Sequence, residues 1–427
     1  MLKIIRLFFT ILILFISIIA YSQKTSNKSK PTNQNLEESF YDAQFFYDQG
    51  DYKEALYNYL RIYDKIPENC NINFLIGMCY LKIPGEESKS IPYLEKAITH
   101  VSAKYKKNSF TERRAPLHAY FYLGRAYMMN DRAEKALEMF NKFKKHPEFK
   151  DNYNIQMVDD EIIACERAKL IQEKQQIVTF TNIGSVINNN QANYKAVLNK
   201  DETMIIYMTS LKFYNAIMMS VMKNGQWSEP INITAQIGSD GDCEPSCISF
   251  DNKTLYLIRK QKGNNDIYYS EFNGTNWSIM QPLNKNINSN KNESAACISP
   301  DGKVLYFSSD RKGGFGNLDL YMSVLDINNE WGPAINLGKN INTSYNETNP
   351  YVCEDGKTFF FCSEGHLNMG GYDIFVTTIF PNYKFDMPIN IGYPINTTHD
   401  NYYFYPVKNG EFIYLSLIRD EGYGDQD

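Results

Sequence analysis

The sequence predicts a multidomain α + β protein, with an N-terminal α-helical solenoid over residues 36–176 and an all-β, five-bladed propeller over residues 177–427. Two periodicities predict these classes. The second part repeats about every fifty residues and carries several short β-runs per copy, as expected when each copy forms one propeller blade. The first part has apolar residues at the period of about 3.6 that marks amphipathic helices.

The propeller repeat is marked by an isoleucine in each copy, and the successive spacings are 50, 50, 54 and 54 residues. The isoleucines are Ile187, Ile237, Ile287, Ile341 and Ile395, and a bulky aromatic keeps the same period at Trp227, Trp277, Trp331 and Phe385. Turns such as Asp301-Gly302 supply the positive φ angles that a tight hairpin needs. Runs such as "KVLYFSS" suit strands that pack between blades.

The two ends of the propeller sequence are complementary. Residues 177–188 match an outer strand, since Asn182-Ile183-Gly184 aligns with Asn336-Leu337-Gly338. The last copy, 395–427, has two strand runs and no outer strand, so we expect the N-terminal segment to close an incomplete fifth blade. The third strand of that blade is missing, which would leave unpaired edges and indicates a truncated or fragmentary chain. The alternative is a natural stop with a poorly closed blade.

The N-terminus predicts export. Lys3 and Arg6 precede a 14-residue apolar run, and Ala20 and Ser22 have the spacing of a cleavage site, so residues 1–22 are typical of a signal peptide. A retained N-terminal anchor is the alternative. Residues 23–35 are polar and predict a disordered leader.

Composition argues against several functions. The formal charge is −5, and residues 177–427 hold 18 basic against 27 acidic residues, so nucleic acid is not an expected partner. The five histidines are scattered without an i, i+4 pair, and no Cys-x-x-Cys occurs, so no metal or other cofactor is predicted. Most of the eight cysteines are expected to be unpaired.

The helical part divides into three helix pairs, at residues 36–69, 70–104 and 117–150, followed by a capping helix at 152–175. A longer loop, about 102–115, precedes the third pair. The third copy carries the clearest pattern, formed by Tyr120, Leu123, Gly124, Tyr127, Ala136 and Phe140. These copies resemble tetratricopeptide repeats, in which small residues such as Gly124 and Ala136 stand where two helices cross closely.

The resemblance to tetratricopeptide repeats implies a concave groove that binds a partner peptide. Its lining would include Phe40, Tyr47, Phe74, Met78, Phe121 and Arg125. The alternative is that these side chains pack on neighbouring helices or on the propeller, because apolar helix stripes more often belong to a core.

Most propeller acids recur at repeat positions, which indicates structural roles. The turn acids are Asp251, Asp301 and Asp355, and the acids at strand starts are Asp266, Asp319 and Asp373. A third recurring set could ring the mouth of the central channel, at Glu244, Glu293 and Glu347. No catalytic residue is predicted, because there is no convergent pair of non-repeating acids, no nucleophile elbow and no Walker loop.

The propeller motifs "ISPDGKVLYFSS", "DLYMSV" and "WGPAINLG" resemble the TolB-like, WD40-like (PD40) repeat of cell-envelope proteins. The order of export signal, helical repeats and propeller resembles the front part of a Bacteroidetes envelope family. Members of that family usually continue into an OmpA-like peptidoglycan-binding domain, and some tether the type IX secretion or gliding machinery. Binding of peptidoglycan would therefore need a C-terminal domain beyond residue 427.

The resemblance implies a non-enzymatic scaffold or adaptor in the periplasm, peripheral to the outer membrane, whose partners are envelope proteins. Two alternatives remain open. One is a TolB-like propeller that binds a peptide or small ligand in its channel, and the other is a propeller hydrolase that acts on glycans or peptides.

Overall fold

A computed structural model describes residues 33–83, 85–149, 153–261, 264–417, 422–423 and 426–427. The predicted signal peptide, and the predicted leader up to residue 32, lie outside the described residues. Residues 33–35, which we assigned to the leader, instead begin the first helix, since the helical pattern extends back to Asn33. Among the described helices, none is long and apolar enough to cross a membrane.

The N-terminal part is a stack of helices in which each helix packs against the next. The described residues form seven α-helices, α1 to α7, at Asn33–Asp48, Tyr52–Tyr63, Cys70–Tyr80, Ser90–Ala97, Ala119–Met128, Ala133–Lys145 and Ile155–Gln172. They are arranged as three pairs followed by a final long helix. Their assignment to the tetratricopeptide family stays a prediction.

Side chains at the helix starts explain several boundaries. Asp51 caps α2 by accepting a hydrogen bond from the Glu54 amide at 3.1 Å. Asn69 and Asn154 cap α3 and α7 in the same manner, each accepting from two backbone amides. Such caps satisfy amide groups that have no partner within the helix.

The propeller blades are antiparallel sheets whose strands follow one another in sequence. A short parallel pair in the helical part, β1 (Val101–Ser102) and β2 (Ala115–Pro116), precedes them. Blade 1 contains β3 to β7, at Asn193–Leu198, Met204–Ser210, Asn215–Lys223, Gln226–Trp227 and Ile231–Asn232. Blade 2 contains β8 to β11, at Cys243–Ile248, Thr254–Arg259, Asp266–Glu271 and Gln281–Pro282.

The remaining blades repeat this order. Blade 3 contains β12 to β15, at Glu293–Ile298, Val304–Ser309, Asp319–Val324 and Ile335–Asn336. Blade 4 contains β16 to β20, at Glu347–Val352, Thr358–Ser363, Asp373–Phe380, Lys384–Phe385 and Ile389–Asn390. A last two-stranded sheet pairs β21 (Phe404–Val407) with β22 (Phe412–Leu415).

The expectation of five blades was therefore wrong for the described residues, which form four blades and one two-stranded unit. The reason is that the copy after Ile395 supplies only two paired strands. This unit still completes the ring, because β21 packs against β3 of blade 1. On its other side, the Asn349 side chain in blade 4 donates to the Tyr402 carbonyl.

In blades 2, 3 and 4, the asparagine that follows the repeat isoleucine ties the turn after the outer strand to the third strand of the blade. The side chain of Asn342 accepts from the Leu320 amide at 2.7 Å and donates to the Leu320 carbonyl at 2.9 Å. Asn288 makes the same two bonds with Ile267, and Asn396 makes them with Ile374. The amide side chain thus substitutes for a missing strand partner on the third strand of each of these blades.

We call the place where residues 177–188 meet the last copy, 395–427, the seam of the ring. The seam contains hydrogen bonds like those of the complete blades. Asn182 donates to the Asp427 carboxylate at 3.1 Å, as Asn336 does to Asp319 at 2.8 Å. The backbone of Asp427 exchanges two hydrogen bonds with Leu417, at 2.8 and 2.9 Å. The N-terminal segment thus lies beside the last unit as predicted, but it forms no regular strand there.

We predict that Gly124→Val lowers the free energy of unfolding by about 2 kcal/mol. A β-carbon at residue 124 would lie 2.6 Å from the buried ring of Phe140, which has no room to move. Chemical denaturation monitored by circular dichroism measures the loss. Combining the change with Phe140→Leu should recover part of the loss, and an unchanged midpoint for the single variant would contradict the close crossing.

Candidate functional site

The predicted groove residues are mainly core residues. Phe40, Phe74, Met78 and Phe121 are buried within the helical stack. They do not line an open groove, so the alternative, packing against neighbouring helices, describes these four side chains.

The loop at residues 102–115 covers part of the surface where the groove was predicted. Phe110 in this loop packs edge-on against Phe40 at 5.9 Å between ring centroids. Tyr105 donates to the Asn71 side chain at 2.8 Å. The loop therefore lies against the first helices of the first two pairs, where the groove was expected.

One buried carboxylate organises this loop. Glu112 accepts from the backbone amides of Lys106 and Arg113, both at 3.0 Å, and from the Arg114 guanidinium at 3.0 Å. The Arg114 side chain is the main reason why the pKa of Glu112 falls to about 2. The loop is thus held by a charged centre that stays ionised at any physiological pH.

The other two predicted groove residues are less buried. Tyr47 is half-buried and packs edge-on against Tyr52, at 5.2 Å between ring centroids. Arg125 points toward α7, where its guanidinium lies 3.6 Å from the Glu161 carboxylate. Arg125 therefore belongs to the junction between the helical stack and the propeller.

Helix α7 forms that junction. Met369 of the propeller is fully buried and belongs to the apolar cluster of the helical stack. Tyr345 donates to Asp160 on α7, and the Gln176 amide donates to the Tyr393 carbonyl at 2.7 Å. The helix predicted as a cap thus packs part of its surface on the propeller.

The junction is rich in carboxylates. Glu161 on α7 has neighbouring charges on Asp160, Glu364 and Asp400. Burial raises the pKa of both Glu161 and Glu364, and the charge of Arg125 opposes this rise at both groups. Sequence reasoning missed this cluster because its acids come from distant segments that share no motif.

Two of the predicted channel-mouth acids are enclosed within the blades, where the repeat turns supply donors to them. Glu293 has no exposed surface and accepts from Ser289, Ser309 and Arg311. Glu347 is equally buried and accepts from Thr343 and Ser363. They brace the turn that precedes each inner strand and do not form an exposed ring at the channel mouth.

Glu244 differs because it is paired with two lysines. It forms ion pairs with Lys195 and, at 2.6 Å, with Lys260. Burial alone would raise the pKa of Glu244, but the two lysine charges outweigh it and lower the pKa. Lys195 has a positive φ angle, lines the central cavity and lies 6.0 Å from the ring centroid of Tyr403.

The central cavity is narrow because small side chains and bulged strands let the blades approach closely. Ala196, Ser246, Ala295 and Ala296 line it, together with tyrosines of the last unit. Ser246 bridges two inner strands by bonds to the Ala296 backbone, at 2.7 and 2.8 Å. The remaining cavity is about 30 Å³, enough for roughly two water molecules.

The acids at strand starts have structural partners, as the sequence indicated. Asp319 accepts from the amides of Phe315 and Gly316 and from Asn336, so both its oxygens are used. Asp373 is also fully buried, but only one oxygen is used, by Met369 and Asn390. Burial raises the pKa of Asp373 to about 7.

All eight cysteines are buried and unpaired, which confirms the expectation for most of them. Within the described part of the chain, no group of three or more His, Cys, Asp and Glu side chains could hold a metal ion.

No protein-family model matches the chain. No curated protein is significantly similar to it. Among solved structures, TolB from Acinetobacter baumannii is 18% identical, with a TM-score of 0.37, over 54% of this chain and 50% of that protein. The match thus spans about half the length of that TolB.

Two propeller hydrolases are similarly distant. The catalytic domain of a Coprinopsis cinerea GH62 α-L-arabinofuranosidase is 11% identical, with a TM-score of 0.38, over 57% of this chain and 93% of that domain. A Mycobacterium tuberculosis puromycin-hydrolysing peptidase is 13% identical, with a TM-score of 0.32, over 46% of this chain and 28% of that protein. Likeness at this level carries no argument about activity.

We predict that Asp373→Asn raises the free energy of unfolding by roughly 2 kcal/mol at pH 8. The folded-state pKa of Asp373 is raised, so its charge destabilises the fold above about pH 7, and the destabilisation fades as pH falls toward the unfolded value. Urea denaturation at pH 8 and pH 5.5 measures the difference, and the gain should shrink at the lower pH.

Asp319→Asn is the matched control from the neighbouring blade. Its new amide would face a backbone N–H that now donates to the carboxylate, so we expect a loss of roughly 1–3 kcal/mol. A loss in both variants would show that the unpartnered oxygen of Asp373 has no special effect.

We predict that Arg125→Ala loosens the junction at pH 8. Burial raises the pKa of Glu161 and Glu364, and the positive charge of Arg125, which opposes this rise, stabilises the ionised form of both carboxyls. Without it, the two negative charges would destabilise the junction. Amide hydrogen exchange along α7 should increase several-fold, and the effect should diminish at pH 5.5 as these carboxyls take up protons. Arg132→Ala, at an exposed site on the same stack, is the control. Equal exchange in both variants would contradict a role for Arg125 in the junction.

Proposed function

We propose that the protein is a non-enzymatic scaffold of the cell envelope, exported to the periplasm and peripheral to the outer membrane. Its helical stack and its propeller would each bind an envelope protein, and helix α7 would keep the two surfaces at a set distance. The tetratricopeptide-like and PD40-like motifs and the N-terminal signal pattern support this placement. More specifically, we propose that this scaffold belongs to a type IX secretion or gliding assembly.

The observation that carries the proposal is the junction at α7. The helical stack and the propeller share an apolar cluster through Met369, which is fully buried. Hydrogen bonds from Tyr345 to Asp160 and from Arg167 to the His366 carbonyl flank it. Domains that share a buried core keep a constant relative orientation, which suits a spacer between two partners.

The size of the central cavity favours the scaffold over the alternative of a ligand bound in the channel. A drug-sized ligand needs a pocket of roughly 300 Å³ or more, and the cavity on the propeller axis is about 30 Å³. Residues around it would have to separate before a peptide or sugar could enter. The outer surfaces are therefore the better candidates for partner binding.

Chemical cross-linking of envelopes that contain the tagged full chain tests the proposal. We expect a constant set of envelope proteins, and expect cross-links to one partner from the helical stack and to another from the propeller. The purified chain should not hydrolyse arabinofuranosides or chromogenic peptides. Turnover that copurifies with the chain, or cross-links confined to the chain itself, would contradict the scaffold.

A further inference from the structure

The first helix exposes two large aromatic side chains. Tyr41 is 49% exposed and Phe45 is 61% exposed. They lie four residues apart and therefore on one face of α1. Single exposed aromatics are common on protein surfaces, but an aligned pair on the first of the described helices calls for a physical explanation.

The equivalent positions in the second and third helix pairs show what packs on this face. The residues 34 positions after Tyr41 and Phe45 are Leu75 and Cys79 on α3. Cys79 is fully buried, and Leu75 is half-buried, in the apolar cluster that the first pair provides. In the third pair the corresponding Ala126 is fully buried in the cluster that includes residues of the second pair.

The face of α1 that holds Tyr41 and Phe45 is thus the face that, in later pairs, packs on a preceding helix. Helical repeats bury this face by stacking, and a terminal repeat needs either a polar surface or a partner there. The first pair has aromatic side chains at this place, so the surface is complementary to one more helix.

Charge determines which helix would fit. The exposed aromatics are surrounded by Glu37, Glu38, Asp42 and Asp48, all exposed, and Asn33–Asp48 contains no lysine or arginine. A second copy of α1 would bring like charges together, and an anionic membrane surface would be repelled. A helix with basic residues along its borders is the favourable partner.

We propose that this face of α1 docks a basic amphipathic helix of a protein partner, which extends the helical stack by one helix. The inference rests on the proposed scaffold function and identifies one of its binding surfaces. The helix α2 indicates the apolar pattern of a helix that joins this stack, since its fully buried residues Ala55, Tyr59 and Ile62 lie in the apolar cluster that α1, α2 and α3 share. Apolar residues at i, i+4 and i+7, bordered by lysine or arginine, fit the face.

A photoreactive benzoyl-phenylalanine at position 45 of the full chain tests the location in cells. We expect cross-links to a partner peptide that has the i, i+4, i+7 apolar pattern and a basic border. The same residue at position 213, which is 87% exposed on the propeller, is the control. Cross-links to a second copy, to residues 1–32 of the chain, or at no higher level than at position 213 would overturn the proposal.

A charge exchange tests the chemistry with a defined probe. The probe is a fluorescent amphipathic peptide of leucine and lysine, and its counterpart has glutamate in place of lysine. We expect Glu38→Lys with Asp42→Lys to weaken binding of the lysine peptide at least tenfold and to favour the glutamate peptide. Glu166→Lys, at an exposed position on α7, should change neither. Equal binding by all variants would overturn the proposal.

Phe45→Ala separates the apolar contribution from the charge and distinguishes the two proposals. It should weaken binding of the lysine peptide about tenfold while the circular dichroism spectrum stays unchanged, because the side chain is largely exposed. If the variant still recovers every envelope partner, the α1 surface is wrong and the scaffold stands. If no variant and no wild-type chain recovers a partner, the scaffold itself is wrong.

Discussion

The propeller depends on one interaction that three of its blades repeat, the two hydrogen bonds that an asparagine side chain makes with the third strand of the blade. Asn288, Asn342 and Asn396 make these bonds with Ile267, Leu320 and Ile374. Each bond pair fixes the point where the chain leaves an outer strand and turns toward the next inner strand. Loss of the side-chain amide would remove the partner of both a backbone donor and a backbone acceptor, most severely at Asn342 and Asn396, which are fully buried. The position of the inner strand that follows each of these three asparagines depends on this turn.

The sequence was most informative where structure is local and periodic. The isoleucine spacing located the blades, and Gly124 was correctly placed at a close helix crossing, where Phe140 lies against it. The sequence was least informative about which aromatic side chains are exposed. Phe40 was expected to line a groove, but Phe110, seventy residues further along, covers it. Burial of that kind depends on where a loop folds back, and neither periodicity nor composition contains that information.

At the junction, one residue lies among neighbours that the sequence did not predict. Arg125 was selected as a groove residue, yet it faces Glu161 and a set of carboxylates that belong to two parts of the chain. Helix α7 was predicted to cap the stack. It is the last helix of the described stack, and part of its surface packs on the propeller. The last copy also illustrates the limit of counting copies, because it holds the repeat isoleucine and yet supplies only two paired strands among its described residues.

The seam has a mechanical consequence. Residues 176 and 427 both lie in the last sector of the ring, where Asn182 meets Asp427 and the backbone of Asp427 meets Leu417. Tension applied between these two points would act on a few hydrogen bonds in one sector, and the four complete blades would carry almost none of it. The same ring pulled from opposite outer edges would distribute the force over all of its blades. Under tension between residues 176 and 427, we therefore expect the seam to open before the four complete blades.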